Sequence, residues 1–332
     1  MSIKDNTINI TEQYELKNRL KKCRGFLFSA YRLVTLFCIA MILLFPLMYM
    51  LSVSLRPSAD MDDPMIVWVP SKIIFTNIAE TFKIMDYPKA FLNTFCISFI
   101  CSVFSIISCS FAGYSLARFK YPGKKLFFII VLLMLIVPPQ NTLMAIFLQY
   151  RSFDFFGIGQ LIGLITGKPL TVNLNGSLWS LFLPAVFGAG IRAGLFILIF
   201  NKFFSNIPVE LEEAAYIDGC GVFRTFFKIM LPNAVSSIIT VFLFSFVWYW
   251  HDYFFTTMFL PNMKTMSLEL TKLSAQLKQA LSPLGSGIVL NSGDITVRLQ
   301  SGCLLTILPL LIIYIILQRF FTEGIERTGI VG

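Results

Sequence analysis

The sequence predicts an all-α membrane protein of six spans, and three observations carry the prediction. Of its 332 residues, 56% are hydrophobic and only 14% charged, where a soluble domain carries roughly 25% charged residues. The apolar residues form long runs, each near the about 20 residues a helix needs to cross hydrocarbon with its backbone paired. The lysines and arginines gather mostly in the short gaps between those runs.

The first run, Leu33 to Val53, follows Lys4, Lys17, Arg19, Lys21, Lys22, Arg24 and Arg32. No small-residue cleavage site follows it, so it reads as a retained anchor. Residues 1–32 are expected to form a basic tail, flexible at first and an interfacial helix near Tyr14 to Lys22. Phe91 to Leu116 is the second run, Leu126 to Tyr150 the third and Leu178 to Phe200 the fourth. Ala234 to Leu260 is the fifth, and Gly302 to Leu317 a shorter sixth. The span domain is thus 33–320, with 205–232 a polar loop inside it and 321–332 a tail. Pro46, Pro138, Pro139, Pro184 and Pro309 fall within runs, where each removes a helix hydrogen bond. Such breaks either shape the bundle or, at Pro138-Pro139, help line a path.

Arg118, Lys120, Lys124 and Lys125 fill the gap between spans two and three, whereas the first gap mixes charges of both signs. The positive-inside rule then puts the N-terminus and the second gap in the cytoplasm. An even number of spans returns the C-terminus, with Arg319 and Arg327, to the same side, and the 205–232 loop with it. The opposite face receives Leu55 to Ala90, expected as an extended lid with one short helix. It also receives Arg151 to Ser177, with a short interfacial segment at Gly159 to Ile165, and Pro261 to Leu299. In the last of these, Ser267 to Ala280 reads as helix and Ser282 to Gly293 as a glycine- and serine-rich connection.

The net charge of +9 does not indicate nucleic acid, because the cations flank apolar runs where topology and anionic lipid use them. Seven cysteines without C-x-x-C spacing and a single histidine imply neither a disulfide framework nor a metal site. No nucleophile–histidine–acid set is present, so no catalytic residue is assigned. A Gly-x-x-x-x-Gly-Lys-Ser/Thr phosphate loop is also absent, so this polypeptide is not expected to hydrolyse ATP.

The most informative segment is Glu210 to Pro232, ELEEAAYIDGCGVFRTFFKIMLP. Pro208 is placed to open a helix whose first turns carry Glu210, Glu212 and Glu213, offsetting the positive helix end. Ala214 and Ala215 allow close approach of a neighbour. Asp218-Gly219 breaks the helix, since glycine accepts the left-handed conformation that a helix end often needs. Val222 to Met230 then sets Phe223, Phe226, Phe227 and Met230 on an apolar stripe, and Pro232 ends the segment. Two short helices joined at a glycine either plug into a groove of a soluble partner or lie on the membrane surface.

The spacing Glu213-Ala214-Ala215, Gly219, Ile229, Leu231, Pro232 resembles the cytoplasmic loop of bacterial ATP-binding-cassette importer permeases. Phe91-Leu92-Asn93-Thr94, Ala112 to Arg118, Tyr121 to Lys124 and Pro138-Pro139-Gln140 are similar to further family positions, in the family's order. So are Ile207-Pro208, Trp250 to Phe255, Met266 to Leu268 and Gln318 to Gly324. Among these permeases the chain most resembles the second permease subunit of maltose- and glycerol-phosphate-type systems. The resemblance implies a six-helix type I importer permease fold in a bacterial cytoplasmic membrane. It also implies a homologous second permease subunit, two ATPase subunits that hold the ATP and Mg, and an extracellular solute-binding protein, with no cofactor on this chain. Glu210 to Pro232 would be the coupling helices seated in an ATPase cleft, with Glu213, Gly219 and the Phe223–Phe227 surface carrying the movement. Tyr216 departs from the arginine common at that position, and Leu161 to Leu178 is longer than usual.

Within the runs, Arg192 either pairs inside the bundle or contacts a solute hydroxyl or phosphate. Trp248, Trp250 and Asp252, beside Tyr249, His251 and Tyr253, suit a carbohydrate path but also an interfacial aromatic belt. Asn93 and Gln140 either face the path or bond across helices. Two rival functions remain: an ion-coupled secondary transporter, which needs no docking loop, and a membrane enzyme or scaffold, which needs a reacting pair.

Overall fold

A computed structural model describes residues 2–66, 68–154, 157, 159, 171–281 and 292–329, with side chains at 21, 25–66, 68–154, 157, 159, 171–279 and 292–318. The expected segment from Gly159 to Ile165, apart from Gly159 itself, lies outside the described residues, as do 161–170 and 282–291. The side chains of Arg319 to Gly324 and of Arg327 are also outside them.

The helices in chain order are α1 (Ser2–Ser54), α2 (Thr76–Ile84), α3 (Tyr87–Arg118), α4 (Lys124–Ile136), α5 (Pro139–Arg151), α6 (Trp179–Val186) and α7 (Ala193–Asn206). There follow α8 (Glu210–Ile217), α9 (Val222–Thr225), a π turn at Phe226–Met230, α10 (Leu231–Asn233), α11 (Val235–His251), α12 (Phe254–Phe259), α13 (Met266–Leu281) and α14 (Ser292–Gly329). Among the described residues, three helices are long and apolar enough to cross a membrane: Gly25–Ser54, Tyr87–Arg118 and Ser292–Gln318. The number rises to six if each of three bent pairs is one span. The pair α4 and α5 bends by 106° at Pro138, whose successor lacks the N–H to continue the helix.

Three expectations change. The basic tail is not separate, because α1 runs unbroken from Ser2 to Ser54; only Gly25 and Pro46 interrupt its helix-forming sequence, and neither stops it. The fourth apolar run is two helices, α6 and α7, parted where Gly188 (φ +68°) and Arg192 (φ +59°) take left-handed backbone. The fifth run likewise parts at Asp252, between α11 and α12.

The bundle centres on α3, which packs against α6, α7 and α11. Small residues permit this. A Cβ on Gly113 would lie 2.6 Å from the Phe200 Cβ, and one on Gly194 would lie 2.8 Å from the Val131 carbonyl oxygen. The helices therefore approach at backbone distance, the packing available where lipid offers no hydrophobic drive between helices. Phe196, Phe200 and Phe204 of α7 are fully buried in this seam. By contrast Phe26, Leu27, Phe37, Ile42 and Leu43 of α1 are exposed, as suits a helix in hydrocarbon.

Polar contacts tie down the chain between α1 and α3. Arg56, itself buried, donates to the Ile66 carbonyl (3.0 Å) and Ser52 Oγ (2.7 Å), and Asn77 donates to the Arg56 carbonyl (2.8 Å). Arg298 pairs with Glu80 (2.7 Å) and Asp294 (3.3 Å), and Lys264 with Asp86 (2.9 Å).

Candidate functional site: a polar insert and a cavity between broken helices

The insert leaves α7 at Ile207 and forms two short helices joined at Gly219, as its spacing predicts. Gly219 has φ +78°, and the amides of Gly219 and Cys220 close the end of α8 on the Tyr216 and Ala215 carbonyls. What holds the insert to the bundle is a buried cluster. The Glu212 side chain accepts a 2.6 Å hydrogen bond from Tyr114 Oη and lies 3.1 Å from Arg118 Nε in an ion pair. Arg118 also donates to the Ile207 carbonyl, fixing the entry to the insert. Behind the ion pair, Phe226 stacks on Phe111 (4.6 Å between ring centroids) and packs at a tilt against Tyr114 (5.1 Å), and Met230 is fully buried.

The predicted residues therefore divide. Glu212, Ala215 and Phe226 are buried and present no surface to a partner; the α3 end satisfies Glu212 and covers Phe226. Glu210, Glu213, Ala214, Gly219, Phe223, Phe227 and Pro232 are exposed. Beside them the insert presents Val209, Leu211, Tyr216, Ile217 and Val222, with Ile217 at 85% and Phe223 at 72% exposure. The anchoring pair, Tyr114 and Arg118, was not singled out from sequence. Its signal was a hydroxyl and a cation one turn apart at the end of an apolar helix, facing an insert with acids in its first turn.

The second feature is a cavity of about 340 Å³ between the α4–α5 elbow and the α6–α7 break. Leu133, Val137 and Pro139 line it from the elbow, Leu181, Pro184, Gly190 and Arg192 from the break, and Tyr249 from α11. The Arg192 guanidinium carbon sits 5.5 Å from the centre of the Trp248 ring, a cation–π contact.

The other proposed path residues lie elsewhere. Trp250 is fully buried, and its indole N–H donates to the Thr306 carbonyl at 3.1 Å. Asn93 donates to the Lys264 carbonyl at 2.8 Å, joining α3 to the chain ahead of α13. Asp252 accepts from the Thr256 amide (2.7 Å), the Thr256 hydroxyl (2.8 Å) and the Phe255 amide (3.3 Å), so it caps the start of α12. Gln140 is exposed on the first turn of α5 and does not line the cavity. Of the six, the structure brings together only Arg192 and Trp248.

Long apolar helices, bent pairs and one anchored polar insert define a polytopic α-helical permease fold. A family model described as "Binding-protein-dependent transport system inner membrane component" matches residues 109–327, and the chain belongs to that family. It is thus a membrane component of such a system and not its ATP-hydrolysing part. The chain is 25% identical over 302 residues to the probable ABC transporter permease protein YurM of Bacillus subtilis (strain 168), covering 90% of this chain and 87% of YurM. It is 28% identical over 297 residues to the arabinooligosaccharides transport system permease protein AraQ of Halalkalibacterium halodurans, covering 89% and 93%. In fold it is similar to a chain of a bacterial ABC transporter involved in the import of the acidic polysaccharide alginate. The TM-score is 0.63 at 18% identity, over 89% of this chain and 96% of that one.

Proposed function

We propose that this chain is one permease subunit of an ATP-driven importer that passes carbohydrate or oligosaccharide from an extracellular binding protein into a bacterial cell. The observation that carries the reading is the division of the insert into a buried anchor and an exposed apolar face, in a chain of this family. Six spans would cross the cytoplasmic membrane, with both termini and the 205–232 loop in the cytoplasm. Two ATPase subunits would hold ATP and Mg, and the exposed face from Ile217 to Phe227 would seat in one of them. A homologous permease would complete the membrane core, as the second subunits of maltose- and glycerol-phosphate-type systems do. The carbohydrate assignment follows the resemblance and the arabinooligosaccharides for which AraQ is named.

The anchor suggests how movement passes. Glu212 and Arg118 fasten the insert to one end of α3, while Asn93 and the Asp86–Lys264 pair hold the chain near the other end. At about 1.5 Å per residue, the 32 residues of α3 make a rod of roughly 48 Å. A displacement of the insert can thus be carried through packed contacts to the far end, given two arrangements of the bundle. The test is a cysteine at Ile217 or Phe223 with a short thiol crosslinker in the assembled complex. Capture of the ATPase subunit supports the reading, and capture of lipid or nothing overturns it. A secondary transporter would instead show ion-driven uptake by the isolated chain.

A further inference from the structure

The cavity beside Arg192 holds a charge that no described residue answers with an opposite one. Among the described residues lining it, Arg192 is the only charged one, and no carboxylate or side-chain amide accompanies it. Its guanidinium packs over the Trp248 ring, and among the described residues it makes no ion pair or side-chain hydrogen bond. Water at the insert is too far to serve. The 14 residues of α7 separate Arg192 from the insert by roughly 21 Å at about 1.5 Å per residue, beyond the reach of its side chain. The backbone of Arg192 is left-handed and forms the N-cap of α7, so the positive end of that helix adds to the same potential.

A neutral sugar needs both donors and acceptors, whereas a guanidinium offers only donors in a planar fork. Its complement is an acceptor-only group with two oxygens. Tyr150, Phe255 and Phe259 line the same cavity with aromatic side chains, and Thr142 and Ser180 supply hydroxyls. A larger cavity of about 660 Å³, with Gln149, Ser152 and the carboxylate Asp154 in its wall, adjoins at Ile146, Tyr150, Pro184 and Ala189. It gives a solute a polar approach.

Resting on the permease reading, we propose that Arg192 is a specificity-determining residue that receives an oxyanion on the solute, making this an importer of acidic saccharides. The oxyanion is a sugar carboxylate or a sugar phosphate.

The test uses cells making the complete transport complex, supplied separately with labelled digalacturonate, glucose 1-phosphate and maltose. Wild-type cells take up one anionic probe in preference to maltose, and which one tells carboxylate from phosphate. Arg192→Gln lowers anion uptake about tenfold or more relative to maltose, while Arg192→Lys keeps an intermediate level. Uptake of neither anion by wild-type cells, or an unchanged anion-to-maltose ratio in Arg192→Gln, overturns the proposal. So does loss of the second permease from purified Arg192→Gln complex with its rescue by Arg192→Lys, since the arginine then pairs with a partner acid. Gly219→Trp, measured alongside, separates the two readings. If it leaves uptake intact, the permease mechanism fails; if it stops all uptake while Arg192→Gln changes no ratio, only the specificity fails.

Discussion

Gly219 and Arg192 both turn the backbone through the left-handed region at a helix boundary, with φ +78° and +59°. At Gly219 an added Cβ would meet nothing within 4 Å, so the turn stands in open space on an exposed insert. Arg192 makes its turn beside a cavity and over a tryptophan ring, with a residue type that pays about 1–2 kcal/mol for that conformation. Among the described residues the other non-glycine with positive φ is Asp86, of a type that tolerates the region better and with Lys264 as a partner. The glycine marks a joint that sequence chose for ease of turning. The arginine marks a break kept despite its strain, which is where a functional demand is expected.

The largest expected effect tests whether the joint at Gly219 works against a fixed base. Glu212→Ala leaves the buried Arg118 guanidinium without its carboxylate, and removing one partner of a buried pair costs about 3–5 kcal/mol. Thermal unfolding of the detergent-purified complex should fall accordingly, and proteolysis within 205–232 should accelerate. An unaltered protease pattern would mean that Phe226 and Met230 alone hold the insert.

Next, Arg192→Gly removes both the backbone strain and an uncompensated charge within an apolar segment. The gain should be about 3 kcal/mol, since a charge costs about 2.5–3.5 kcal/mol at mid-membrane, the left-handed backbone adds about 1–2 kcal/mol, and the lost cation–π contact offsets part of the sum. The variant should unfold at a higher temperature yet lose anionic uptake. A lower unfolding temperature would show that the arginine is a structural prop. Gly219→Val should cost about 1–2 kcal/mol from backbone strain alone, because no side chain stands in the way. Gly219→Asn should cost only a fraction of that, and the ratio of transport to ATP hydrolysis should follow the same order.

The same contrast explains what sequence could convey. The insert was legible because local chemistry determines it: acids on the first turns, Asp218-Gly219 as a stop, an aromatic stripe, and proline at the end. Helix α13 was legible for a similar reason. The fourth run was not, since its apolar character continues through Gly188 to Arg192 and hydropathy does not register where a backbone reverses. The contacts of Trp250, Asn93 and Asp252 were not legible, because residue type does not separate a group bonded within the bundle from one that faces a path. Their partners, Thr306, Lys264 and Thr256, are set by helix packing or by a break that the apolar pattern conceals. The Arg118–Glu212 pair is hidden by distance along the chain, although each half lies within a motif legible by itself.

The smallest effect isolates the ring beneath Arg192. Trp248 packs against Phe196 (5.6 Å between ring centroids) and Phe244 (6.0 Å) as well as under the guanidinium. Trp248→Phe keeps an aromatic face but weakens its attraction for a cation, a change of about 0.5–1 kcal/mol or roughly two- to five-fold in an equilibrium. Anionic uptake should fall by that factor at nearly constant unfolding temperature, whereas Trp248→Leu should bring it close to the Arg192→Gln level. A guanidinium left without its ring can turn away from the cavity, so the ring acts by aiming the charge. Full anionic uptake in Trp248→Leu would reduce the tryptophan to packing and leave Arg192 to hold its direction through the left-handed backbone alone.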